Sequence, residues 1–152
     1  MKLLVYIPCH TDFPQAINQA AEVRRQFQLL PQNASNSSLQ IEIIVSVNAY
    51  EPSLSEKNLA EKSCDSVLYN GTGYLADINI SNGYLLALEK KPELLWLLST
   101  NDKLMPNAIK KIFSKLLQES TCQKSNAHKV FQPKPDRVHV VDICRQKELP
   151  EL

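Results

Sequence analysis

The chain has three glycines in 152 residues: Gly71, Gly73 and Gly83. A dinucleotide-binding fingerprint needs a tight glycine cluster directly after the first strand, where this sequence reads Pro8-Cys9-His10-Thr11. A P-loop needs a Gly-Lys-Ser/Thr ending, and none occurs. An ordinary NAD-binding domain and a P-loop ATPase are thereby excluded. A nucleotide, if bound, must be held by side chains and loop backbone. The four cysteines (Cys9, Cys64, Cys122 and Cys144) fall at no zinc-like spacing and are expected as reduced thiols. Beside His10, Cys9 reads as a small buried hydrophobe rather than a nucleophile. Charge of one sign is not concentrated anywhere. The net charge is +1, and Lys90-Lys91 and Lys110-Lys111 read as solvated helix faces. No nucleic-acid partner is expected. No apolar run approaches the ~20 residues of a membrane span. The run from Met1 to Ile7 is too short for a signal peptide and is closed at once by Pro8 and His10, so a cytoplasmic location is expected.

What is present is the profile of a globular α/β domain, 43% hydrophobic and 22% charged. Leu3 to Ile7 is a continuous apolar run, the mark of a strand covered on both faces. A helix opens near Pro14, with Asp12 as its cap and a stripe of Ala16, Ile17, Ala20, Val23, Phe27 and Leu30. The polar stretch 31–39 reads as a loop, and its two glycosylation sequons as loop chemistry. Ile41 to Val47 is a second strand, followed by a short helix from about Glu56 to Lys62 and a weaker strand from Asp65 to Tyr69. After a turn at residues 70–73 comes a helix from Ala76 to Lys91, with Ile80, Leu85 and Leu88 on one side. Leu94 to Leu98 is a fourth strand. Pro106 opens a last helix with the stripe Ile109, Ile112, Phe113, Leu116 and Leu117. Val138 to Cys144 reads as one more strand, and the charged ending from Arg145 as frayed.

The alternation predicts a three-layer α/β/α sandwich with a mostly parallel sheet. Residues 1–120 are expected to form the domain, with 121–152 as a short extension. In such sheets ligands bind at the carboxyl ends of the strands, where the strand order switches. Those ends carry Pro8-Cys9-His10-Thr11-Asp12, Asn48-Ala49-Tyr50-Glu51, Asn70-Gly71-Thr72-Gly73 running on to Asn79 and Gly83, and Ser99-Thr100-Asn101-Asp102 before Pro106.

These four segments, in this order, resemble family 2 glycosyltransferases over roughly residues 2–118. Members end their first strand in Pro, one residue, then an aromatic or His, as Pro8 and His10 do here. They end the second in a base-contacting residue, usually Asp, where this chain has Asn48. A Gly heads the helix bearing an Asn-x-Gly-like element, matched by Gly73 and Asn79 to Gly83. Their fourth strand runs into Asp-x-Asp-Asp and then Pro, matched in frame by Ser99 to Pro106. The resemblance implies a GT-A fold, truncated here. It implies inverting transfer of a sugar from a nucleoside diphosphate sugar to a glycan or lipid-linked acceptor. Pro8, His10, Asp12, Asn48, Gly73 and Asn79 would contact the nucleotide, and Asn101 and Asp102 would face the diphosphate and a divalent Mg²⁺ or Mn²⁺.

The match departs from the family in two ways. Ser99 and Asn101 stand where the metal motif has Asp, leaving Asp102 as its carboxylate. Family members also carry the catalytic Asp or Glu in a second, acceptor-binding half. Asp136 and Asp142 lie in the tail here, but nothing there matches that half. The chain therefore reads as a short form, a truncated piece, or a non-catalytic nucleotide-binding or protein-interaction remnant, and no catalytic residue is assigned. Each residue also has a plainer role. Asp102 and Asp12 would cap helices, Asn48 would form a turn, and His10 would close a strand end. A homo-oligomer is expected if an apolar surface stands exposed where the second half belongs.

Overall fold

A computed structural model describes residues 1–31, 39–71, 75–115 and 139–140. The chain alternates β1 (Lys2–Cys9), α1 (Phe13–Gln28), β2 (Gln40–Val47), α2 (Leu54–Ser63), β3 (Ser66–Tyr69), α3 (Ala76–Lys90) and β4 (Leu94–Leu97). A helix α4 follows over 108–115, and His139–Val140 forms β5. The sheet order is β3-β2-β1-β4-β5, and every neighbouring pair is parallel. Helices cover both faces, as the alternation predicts. Expected features at Gly73, in the loop at 32–38, at Leu116 and Leu117, and across most of Val138 to Cys144 lie outside the described residues, as do Asp136 and Asp142.

β1 is central, and Leu3 to Ile7 are completely buried. Its alternate residues feed two cores of unequal size. Leu3, Val5 and Ile7 join Ile43, Val45, Leu94 and Trp96 beneath α1, α2 and α4. The expected α1 stripe packs there, as do Ile109, Ile112 and Phe113 of α4. On the opposite face Leu4, Tyr6, Ile44 and Leu95 meet α3 through Ala87. The second core is small because α3 turns its small and polar residues inward. Asn79, Gly83 and Ala87 are its buried positions, spaced one turn apart. Ile80, Leu85 and Leu88, which the periodicity puts on one side, face away from the sheet and are exposed.

Local chemistry fixes the helix ends. Ser53 and Glu56 form a reciprocal capping box, so α2 begins two residues earlier than its apolar pattern suggests. Lys91 closes α3 in the left-handed region at φ 49°. Glu42 on β2 accepts ion pairs from Lys2 and Lys90, each at 2.7 Å, tying the end of α3 to the sheet. The last helix starts at residue 108, after a turn at 106–107. Asp102 is therefore not its cap.

Candidate functional site at the carboxyl ends of the strands

The strand order switches at β1, with β2 on one side and β4 on the other. Pro8 matters at this point. It shares its hydrogen-bonding side with Tyr6, whose carbonyl accepts from Leu98 N at 3.0 Å on the β4 flank. β1–β4 pairing stops at Tyr6↔Leu97, so the N–H that proline lacks would have pointed past the paired part of β4. Toward β2 the pairing continues to Cys9↔Val47. The sheet is thus closed between β1 and β2 and open between β1 and β4.

On the closed side, three asparagines bind the strand ends together. Asn79 is 2% exposed. Its Nδ2 donates to Cys9 O at 3.2 Å and Ser46 O at 3.0 Å, and its Oδ1 accepts from Tyr6 Oη at 3.0 Å. Asn48 is fully buried; its Nδ2 donates to Leu75 O at 3.3 Å and its Oδ1 accepts from Asn70 Nδ2 at 2.8 Å. Asn70 also donates to Ser46 Oγ at 2.8 Å. Ala49 follows at φ 53°, with its N–H on Gly71 O at 3.0 Å. The carboxamides of Asn48 and Asn79 are thus engaged inside the protein, Asn79 joining Cys9 to Ser46 of the second strand and Asn48 joining the second strand end to Asn70 and Leu75. Cys9 lies among them, buried, and burial together with the charge of Asp12 pushes its thiol up to about 12. It has no nucleophilic character at neutral pH, as the sequence suggests.

On the open side, His10, Thr11 and Asp12 form one rim and are exposed. Asp12 occupies the N-cap position of α1, but its side chain makes no capping bond, and no acidic residue stands in the first turn. The uncapped amino end of a 16-residue helix thus sits beside the crevice, a favourable place for an anion. The other rim is Ser99 to Asp102. Asn101 is exposed, and Asp102 is half-buried with Oδ2 accepting from Ser99 N at 3.1 Å.

The two rims are linked by residues the sequence reading overlooked. Gln19 of α1 donates through Nε2 to Ser99 O at 2.8 Å, Thr100 O at 3.2 Å and Asp102 O at 2.7 Å. Gln15 also donates to Thr100 O. Two turns on, Gln26 donates to Met105 O at 3.0 Å and accepts from Ile109 N at 3.3 Å. Two of these glutamines are buried beside the apolar stripe of α1. Their signal was polar residues at helical spacing on the flank of a core-facing stripe. A second group, also unforeseen, is aromatic: Phe13 packs on Tyr50 and Tyr69 at centroid distances of 6.0 and 6.4 Å along the β2–β3 rim.

Among the described residues no group of three His, Cys, Asp or Glu side chains could hold a metal ion. Asp102 and Asn101 supply one carboxylate and one amide oxygen. That set suits a Mg²⁺ or Mn²⁺ arriving with a diphosphate that completes its oxygen shell, not a resident ion caged by protein. No helix among the described residues is long and apolar enough to cross a membrane. No protein-family profile, curated protein or solved structure matches the chain.

Proposed function

We propose that the chain binds a nucleoside diphosphate sugar in the crevice between β1 and β4 and serves sugar transfer of the family 2 glycosyltransferase type, on a GT-A scaffold. One observation carries the reading. The β1–β4 pairing ends at Tyr6↔Leu97, short of Pro8, at the switch in strand order, and two of the four segments that resemble the family's donor motifs flank that point. The nucleoside lies toward His10, whose exposed ring can stack on a base. The diphosphate lies toward the amino end of α1 and the loop 99–102. Asn79 serves by holding Cys9 O and Ser46 O, and Asn48 by holding Asn70 and Leu75 O, in place of the direct nucleotide contact that the resemblance implies.

In inverting transfer an acceptor hydroxyl oxygen forms a bond to the anomeric carbon as the bond from that carbon to the diphosphate breaks. The hydroxyl proton passes to a carboxylate base, and the nucleoside diphosphate leaves. A divalent ion, when bound with the donor, neutralises charge on the leaving diphosphate. The chain's own share is positional: Gln15 and Gln19 hold the backbone of the loop 99–102 against α1, beside the strand end that carries His10 and Asp12. No base is assigned among the described residues.

A second reading, a nucleotide-binding module without transfer, is favoured by one feature: Asp102 is the one carboxylate in the motif frame, and it is already hydrogen-bonded to Ser99 N. Calorimetry with UDP- and GDP-sugars, with and without Mn²⁺, together with a donor-hydrolysis assay, separates the two. Metal-strengthened binding with turnover supports the first. Metal-independent binding without turnover supports the second. Binding of no donor rejects both.

A further inference from the structure

We infer that the outward face of α3 is a self-association surface, on which two copies of this chain pack antiparallel about a twofold axis at Tyr84. The helix presents its apolar residues to solvent. Leu75, Leu85 and Leu88 are 69%, 63% and 59% exposed, and Ile78, Ile80 and Tyr84 are exposed beside them. No described residue covers them. Ile80, Tyr84 and Leu88 share one flank of the helix, and Leu85 and Ile78 lie about 100° or more round it from Tyr84.

The order of residues identifies the occupant. Asp77, Ile80, Tyr84, Leu88 and Lys91 follow one stripe, with successive spacings of three, four, four and three residues. The stripe is symmetric about Tyr84. Two such helices placed antiparallel therefore put Tyr84 on its own copy, Ile80 on Leu88 twice, and Asp77 on Lys91 twice. A twofold interface requires this kind of self-complementarity. The charges agree with it. Asp77 and Lys91 are exposed, and neither joins an ion pair among the described residues, whereas the neighbouring Lys90 turns inward to Glu42 at 2.7 Å. A parallel pairing would instead set Asp77 against Asp77 and Lys91 against Lys91.

Sedimentation equilibrium of the full chain from 1 to 200 μM, at low and at physiological salt, tests the inference. A monomer–dimer equilibrium is expected in the micromolar range. Leu88→Glu is expected to weaken it at least tenfold while leaving the circular dichroism and melting temperature nearly unchanged, because Leu88 is more than half exposed and belongs to neither core. Asp77→Lys and Lys91→Asp are each expected to weaken it roughly threefold to tenfold at low salt. The double swap is expected to restore it, because the pairs re-form across the axis. A chain that stays monomeric to 200 μM would overturn the inference. So would a dimer indifferent to Leu88→Glu, or a double swap weaker than either single one. A monomer destabilised by Leu88→Glu would show instead that the chain's own remaining residues cover this face. None of these readouts depends on donor binding.

Discussion

Gly83 is where one hydrogen atom decides how closely a helix can approach the sheet. A Cβ there would lie 2.7 Å from Cδ1 and 2.9 Å from Cε1 of Tyr6. That ring is fully buried, and its hydroxyl donates to the carbonyl and Oδ1 of Asn79, so it has nowhere to move. Gly83→Ala is therefore expected to destabilise the fold by about 1–3 kcal/mol in urea denaturation, against the usual helix preference for alanine. Asn79→Leu would remove the side-chain donor to Cys9 O and Ser46 O and one of the two acceptors of the Tyr6 hydroxyl in a dry interior. Its expected cost is about 2–4 kcal/mol, read from the same transition. Cys9 and Cys64 are buried, and burial raises their thiols to about 12 and about 11. Thiol labelling at pH 8 should leave both unmodified until the chain unfolds, when both react. The residues of this network were visible in the sequence, and Asn48 and Asn79 were singled out, but for contact with a ligand. Their role in the fold was not legible. It depends on three strand ends converging, and no spacing along the chain reveals that Asn48, Asn70 and Asn79 are neighbours.

At the scale of elements the alternating pattern was enough to read out strands, helices and a parallel sheet. β1 and β2 are readable because strands buried on both faces must be apolar throughout, and α1 because its stripe meets a large core. α3 misleads for a physical reason. Its inward face consists of Asn79, Gly83 and Ala87, chosen for closeness and hydrogen bonding, so its hydrophobic residues mark the surface instead of the core. The end of α3 gives an electrostatic prediction. Glu42 is partly buried, which opposes ionisation, but Lys2 and Lys90 outweigh this and hold its carboxyl below the usual range. Its folded pKa is thus lower than its unfolded one. The resulting stability is present above the unfolded value of about 4.3 and is lost as pH falls through the folded value. Glu42→Gln should cost about 0.5–1.5 kcal/mol at pH 7, and the difference from the parent chain should vanish in acid. α1 gives a different kind of test. Gln19→Leu removes the donor shared by Ser99 O, Thr100 O and Asp102 O and should loosen the loop 99–102, seen as faster amide exchange there than in β1.

At the scale of the whole molecule, the sheet is closed on the β2 side by asparagines and open on the β4 side by a proline. The proposed donor site lies at that opening, and the glutamines of α1 join the segment 99–102 to α1 beside it. What was legible is the order of the strand-end segments and the identities of Ser99 and Asn101, on which the proposed donor site rests. The linkage between the rims was not, because it runs through side chains of α1 that carry no motif. The claim that this crevice is a donor site is tested most directly by titrating the chain with UDP- and GDP-sugars in the presence of Mn²⁺, beside Asp102→Asn. That variant keeps an oxygen for Ser99 N and removes the charge that the proposed diphosphate–metal complex would meet. The expected result is saturable binding of at least one donor, weakened about tenfold or more by Asp102→Asn, equivalent to at least 1.4 kcal/mol. Absence of binding for every donor, or binding that Asp102→Asn leaves unchanged, would contradict it.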